Sequence, residues 1–244
     1  VHPFARERLD GVFSGLPVDR AIAQGHNGVG LGLWQFRDKE ARQQVAATRL
    51  QILHDTTKKG ERLLLIGSSM GSIVLVDMVE MNFNSRDKLD IAGIVLFGPA
   101  LHTDPGHARE HAVSFGKQLT RDAGRDFVTK SPRKLIRGAK DLVSWGADTA
   151  KSLPHIYHQL GEIITASDIR TLHNIFEIVP AITVHGNKDD IVAHELWNTM
   201  AKAHPKKFSQ IILPGKGHEI LVDPDYAVAV LVSAITQSRM LNRT

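Results

Sequence analysis

The stretch from Leu63 to Val76 constrains the fold of this chain more than any other. Leu63-Leu64-Leu65-Ile66 is an uninterrupted apolar run, Gly67-Ser68-Ser69-Met70-Gly71 follows directly, and Ile73-Val74-Leu75-Val76 resumes the apolar pattern at once. A short apolar run closed by glycine reads as a buried strand, and the longer glycine-free stretch behind it reads as a helix. Between them stands a Gly-x-Ser-x-Gly turn. In such a turn the central serine, Ser69, takes a cramped backbone conformation that lifts its hydroxyl clear of the carboxyl edge of the sheet. Gly67 and Gly71 flank it because strand and helix pass too close there for larger side chains. The same pattern also fits a plain strand-to-helix loop, so Ser69 needs partners elsewhere in the chain to read as a nucleophile.

Composition narrows the classes. Of 244 residues, 42% are hydrophobic, which suits one large α/β domain with an insertion or two small domains and excludes a disordered or fibrous chain. Apolar runs such as Ile91 to Phe97 stop far short of the ~20 residues needed to cross a bilayer. With no charged-then-apolar signal segment at the start, the expectation is a soluble, cytoplasmic protein. The opening Val1-His2-Pro3-Phe4 reads as the end of a strand rather than a beginning, and the sequence leaves open whether residues precede Val1. Cysteine is absent, which excludes a disulfide framework, a thiolate nucleophile and a cysteine metal site, and fits a reducing compartment. A net charge of +4 with pI ≈ 9.4 is far milder than the clustered excess of a nucleic-acid binder, and nucleic acid is not an expected partner.

The order of elements points to a parallel sheet. A helix-compatible stretch from Phe4 to Phe13 and a strand-compatible one from Val18 to Ala23 precede Gly25-His26-Asn27-Gly28-Val29-Gly30. That cluster does not match G-x-G-x-x-G opening a helix and reads as a loop at the sheet edge. Asp38 to Lys59 has helical composition and Gly60 stops it. Strand Leu63 to Ile66, helix Ile73 to Met81 and strand Ile91 to Phe97 then form a strand-helix-strand unit buried on both faces. Alternation resumes with strand Ala181 to Val184, helix Ala193 to Ala203, strand Phe208 to Leu213 and a last helix from Asp225 to Met240. Between them, residues 101–178 read as helical segments rich in Lys, Arg and His. One core, residues 1–100 and 179–244, interrupted by a helical cap at 101–178 describes this best. An insertion at the carboxyl edge of a parallel sheet overhangs the place where such folds bind ligands, so its expected role is a lid.

A serine nucleophile needs a base, and the base an orienting carboxylate. Val184-His185-Gly186-Asn187-Lys188-Asp189-Asp190 places Asp189 and Asp190 on the loop after an apolar strand, and Leu213-Pro214-Gly215-Lys216-Gly217-His218 places His218 after the final strand. Parallel strands present their carboxyl ends on one edge, so loops distant in sequence can meet there.

With these three motifs in the order Ser, Asp, His, the chain resembles the α/β-hydrolase family, in particular its capped esterase and lipase-like members. The resemblance implies that Ser69 is the nucleophile, that Asp189 of Gly186-Asn187-Lys188-Asp189 is the acid in preference to Asp190, and that His218 is the base. It implies an oxyanion hole made by the backbone N–H of Met70 and a second N–H near His2-Pro3-Phe4. Pro3 replaces the usual glycine and has no N–H, which leaves Phe4 as the second donor. The implied activity is hydrolysis of a small-molecule carboxylic ester without cofactor or metal. Thioester, amide, peptide and carbon–carbon bond hydrolysis use the same triad, and a hydrolase-fold ligand-binding protein with little turnover is the alternative from another class.

Other residues carry weaker signals. His26 and His185 read equally well as pocket-lining and as structural histidines. His107 and His111 share a helix face near His102, but no acidic ligand completes an H-E-x-x-H signature, so a solvated lid face is favoured over a metal site. Lys117 to Lys140 carries eight basic residues against Asp122 and Asp126, a run that reads as a solvated face and otherwise as a weak contact with anionic surfaces.

Overall fold

The computed structural model describes residues 39–99, 169–189, 195–218, 220 and 224–241. Phe4 to Phe13, Val18 to Ala23, the Gly25 to Gly30 loop and the basic run Lys117 to Lys140 lie outside them. In chain order the described elements are α1 (Lys39–Thr56), β1 (Arg62–Ser68), α2 (Met70–Asn84), β2 (Asp90–Phe97), α3 (Ile169–Ile178), β3 (Ala181–Gly186), α4 (Glu195–Ala203), β4 (Phe208–Leu213) and α5 (Pro224–Leu241).

The four strands form one sheet in the order β1-β2-β3-β4, every neighbouring pair parallel. The apolar composition of the two inner strands, β2 and β3, follows from burial on both faces. On one face Ile94, Leu96, Ala181 and Phe208 pack against Ile73, Val74, Leu172, Phe176, Trp197 and Met200 of α2, α3 and α4, with α1 adding Ala46, Leu50 and Leu53. On the other face Val95, Phe97, Ile182, Val184 and Leu213 pack against Val230, Leu231, Ala234 and Ile235 of α5. Alternate residues of β2 and β3 therefore serve opposite cores, the period-two signature of a strand.

Ile169–Ile178 closes the span read from the sequence as a cap. Leu172, Ile175, Phe176 and Val179 repeat at helical spacing and all belong to the core on the α2 side of the sheet. Phe176, Trp197 and Phe208 form an aromatic cluster with ring centroids 5.0 to 6.3 Å apart, which ties α3 and α4 to the start of β4.

Two polar features brace this core. Arg42 lies on the buried stripe of α1, and its guanidinium donates to both carboxylate oxygens of Asp77 on α2 at 2.5 and 3.2 Å. At the amino edge of the sheet, Nδ1 of His173 on α3 lies 2.7 Å from Nε2 of His204, the residue after α4. One of these nitrogens must be unprotonated for the pair to hydrogen-bond.

Candidate active site

β1 ends at Ser68 and α2 begins at Met70, which leaves Ser69 alone between strand and helix. Ser69 has φ 50° and ψ −122°, the only positive φ of a non-glycine residue among those described. Such a conformation costs about 1–3 kcal/mol and persists only where its surroundings over-determine it. Here the Ser69 N–H donates to the Phe97 carbonyl at 2.8 Å, and the Ser69 carbonyl accepts from the Ser72 N–H at 3.0 Å, so strand β2 and helix α2 each grip one side of the residue. A Cβ on Gly67 would lie 2.9 Å from the Cα of Ser72, closer than real Cβ atoms approach. The spacing of the motif thus has a steric cause, the crossing of β1 and α2.

Asp189 and His218 reach the serine because the loops after β3 and β4 are tied together. Asn187 N–H donates to the Leu213 carbonyl at 3.0 Å, Lys188 N–H to the Lys216 carbonyl at 2.9 Å, and Gly215 N–H to the Asn187 side-chain oxygen at 2.7 Å. The Asp189 N–H closes a turn onto the Gly186 carbonyl at 3.1 Å. Asn187 and Lys188, the variable positions of Gly-x-x-Asp, are the residues that make these cross-links.

The result is a continuous chain of hydrogen bonds. His218 Nε2 lies 2.9 Å from Ser69 Oγ, and His218 Nδ1 lies 2.9 Å from Asp189 Oδ2. The Asp189 side chain has no solvent exposure, and that of His218 is 13% exposed. An ionised carboxylate can only accept, so it fixes the proton on Nδ1 and turns the lone pair of Nε2 toward the serine hydroxyl, which donates to it. A serine so placed can be deprotonated as it attacks.

The sequence of the hydrolase family described as serine aminopeptidase, S33, matches residues 41–225 of this chain. The chain belongs to this α/β-hydrolase family. Among solved structures the α/β-hydrolase chain is similar to the RedJ thioesterase of the prodiginine pathway in Streptomyces coelicolor, with TM-score 0.58, 16% identity and coverage of 95% of this chain and 85% of that one. It is similar also to MGS-M2, an α/β-hydrolase from a Medee basin deep-sea metagenome library (TM-score 0.55, 14% identity, 82% and 72% covered). A third is the esterase EaEST from Exiguobacterium antarcticum (TM-score 0.51, 16% identity, 82% and 74% covered). No curated protein sequence matches the chain. The fold inferred from the sequence is therefore the fold of the protein.

Within this α/β-hydrolase the remaining site residues divide. Met70 is the first residue of α2, where a backbone N–H has no partner within its own helix. Asp189 is the aspartate that reaches His218, while Asp190 lies outside the described residues, as do Phe4, His26, His102, His107 and His111. His185 is fully buried, its ring 6.0 Å from that of Trp197. No helix among the described residues is long and apolar enough to cross a membrane. One residue of the site escapes sequence reasoning altogether. Gly98, at φ +44°, lies so close under the His218–Asp189 pair that an added Cβ would touch both, and the only sequence signal at that point is a glycine ending a strand.

Proposed function

We propose that the protein is a serine hydrolase that cleaves carboxylic esters through an acyl-enzyme on Ser69. The observation that carries this reading is the unbroken contact from Ser69 Oγ through His218 to Asp189, with both links at 2.9 Å. As Oγ attacks the ester carbonyl, His218 Nε2 takes its proton and the carbonyl oxygen becomes an oxyanion. The Met70 N–H, and by resemblance that of Phe4, donate to this oxyanion, each such donor contributing about 10²–10³ in rate. His218 then returns the proton to the leaving alkoxide as the C–O bond breaks, and the acyl group stays on Ser69. A water enters, His218 removes its proton, and collapse of the second tetrahedral intermediate releases the acid and restores the Ser69 hydroxyl. Asp189, buried beside the ring, orients the imidazole and compensates the imidazolium in both half-reactions.

Membership of a hydrolase family and likeness to esterase and thioesterase folds support hydrolysis as the reaction class. A second reading, cleavage of an amino-terminal peptide bond, follows the description of the matching family. A panel of p-nitrophenyl esters, acyl thioesters and aminoacyl p-nitroanilides tests both. Turnover of esters that is lost in Ser69→Ala supports the proposal. Turnover of anilides alone favours the second reading, and turnover of none removes the enzyme reading.

A further inference from the structure

We infer that Gly98 is a positioning residue for the triad, the backstop that sets the His218 ring and the Asp189 carboxylate relative to Ser69; this rests on the serine-hydrolase reading. A Cβ built on Gly98 would lie 3.0 Å from both Cε1 and Nδ1 of His218 and 3.3 Å from Oδ2 of Asp189, so it would wedge against the hydrogen bond that joins them. The backbone of Gly98 cannot retreat from this contact. Its N–H donates to the Val184 carbonyl at 2.8 Å, which extends the β2–β3 ladder past the last strand residue. The preceding residue, Phe97, accepts the Ser69 N–H at 2.8 Å. A single backbone step, Phe97-Gly98, therefore grips the nucleophile on one side and bounds the base and acid on the other. The three residues come from loops far apart in sequence, and this step is the element common to all three contacts. With a hydrogen at that position the ring and the carboxylate keep their places; with a methyl group they must give by a few tenths of an ångström. A misplacement of about 1 Å costs about 10²-fold in rate, so a shift of this smaller size is expected to cost about tenfold, without loss of substrate affinity.

Glycine is also favoured at Gly98 by its φ of +44°, so the test separates backbone strain from the wedge. Gly98→Ala introduces both. Gly98→Asn keeps the Cβ while tolerating the left-handed backbone better. Gly60→Ala is the control, since Gly60 has φ +88° with nothing within 4 Å of its Cβ position. The readouts are kcat and KM on the best p-nitrophenyl ester and the rate of fluorophosphonate labelling, beside thermal unfolding. Expected is a fall in kcat of about tenfold in both Gly98 variants, KM within about twofold, labelling slowed in parallel, and Gly60→Ala like wild type in kcat. In an Asp189→Asn background, Gly98→Ala is expected to cost far less than in wild type, because both act through the same hydrogen bond. Wild-type kcat in folded Gly98→Asn, an additive double variant, or failure of both Gly98 variants to fold while Gly60→Ala folds would each overturn the inference. An inactive, unlabelled wild-type enzyme would instead remove the hydrolase reading on which it rests.

Discussion

The carbonyl oxygen of Lys216 occupies the space in which a side chain on Gly186 would begin. The end of β3 and the loop after β4 thus run backbone against backbone, and this contact, with the cross-links from Asn187 and Lys188, is what brings Asp189 within hydrogen-bond range of His218. Gly186→Ala is therefore expected to part the two loops. Because the obstacle is backbone rather than a flexible side chain, the cost belongs at the upper end of overpacking, about 3 kcal/mol. For a chain of this size that lowers Tm by roughly 6–12 °C, measurable by calorimetry. An unchanged Tm would show that the loops are not in contact.

Ser69 holds its backbone at φ 50° at some cost to stability, and the cost and the function should separate by mutation. Ser69→Gly and Ser69→Ala both remove the hydroxyl, but only glycine relaxes at positive φ. Ser69→Gly is expected to be the more stable of the two by about 1 kcal/mol, with neither hydrolysing esters. Equal melting temperatures, or a higher one for alanine, would mean that the turn is unstrained.

The Arg42–Asp77 and Arg62–Asp90 pairs make a matched contrast. In the first, both side chains are buried; in the second, both are more than half exposed. Removing Asp77 strands a buried guanidinium, so Asp77→Ala is expected to destabilise by about 3–5 kcal/mol. Asp90→Ala should cost less than about 1 kcal/mol, since water screens and replaces the exposed pair. Urea unfolding of the two variants checks the ranking, and an inverted order would contradict the burial of Arg42.

Stability should decline on mild acidification through His204. Burial lowers its pKa below the ordinary histidine value of 6.5, the neighbouring His173 lowers it further, and Glu177 opposes them in part. The unfolded chain then binds a proton below pH 6.5 that the folded chain does not, so stability rises with pH in that window and is lost as pH falls below 6.5. Denaturant midpoints measured from pH 7.5 down to 5 are expected to fall, and to fall less in His204→Gln. Identical pH slopes for the two proteins would exclude His204 as the source.

How much of this was legible in the sequence depends on the range of each interaction. The elbow at Ser69 is local, a strand and a helix crossing within a few residues, and the glycine spacing encodes it. The strands β1 to β3 were legible as apolar runs, β2 and β3 because both faces of the sheet are covered there, and β4 from its place after a helix in the alternating order. Asp189 and His218 follow from parallel topology, which delivers the residue after each strand to one edge. What the sequence did not reveal is contact between distant segments. The roles of Gly98 beneath His218, of Gly186 against Lys216 and of Arg42 on Asp77 depend on tertiary approaches that no spacing records. Likewise, the helical repeat of Leu172, Ile175 and Phe176 is visible in the sequence, but not which face of which sheet it covers.

The claim that Ser69 is an activated nucleophile is tested most directly by covalent labelling. A fluorophosphonate probe reacts with a serine hydroxyl only where a base withdraws its proton, and intact-mass analysis with peptide mapping counts and places the adduct. Expected is a single adduct on Ser69, absent in Ser69→Ala and formed far more slowly in His218→Ala. An unlabelled wild-type protein, or an adduct on another serine that persists in Ser69→Ala, would contradict it.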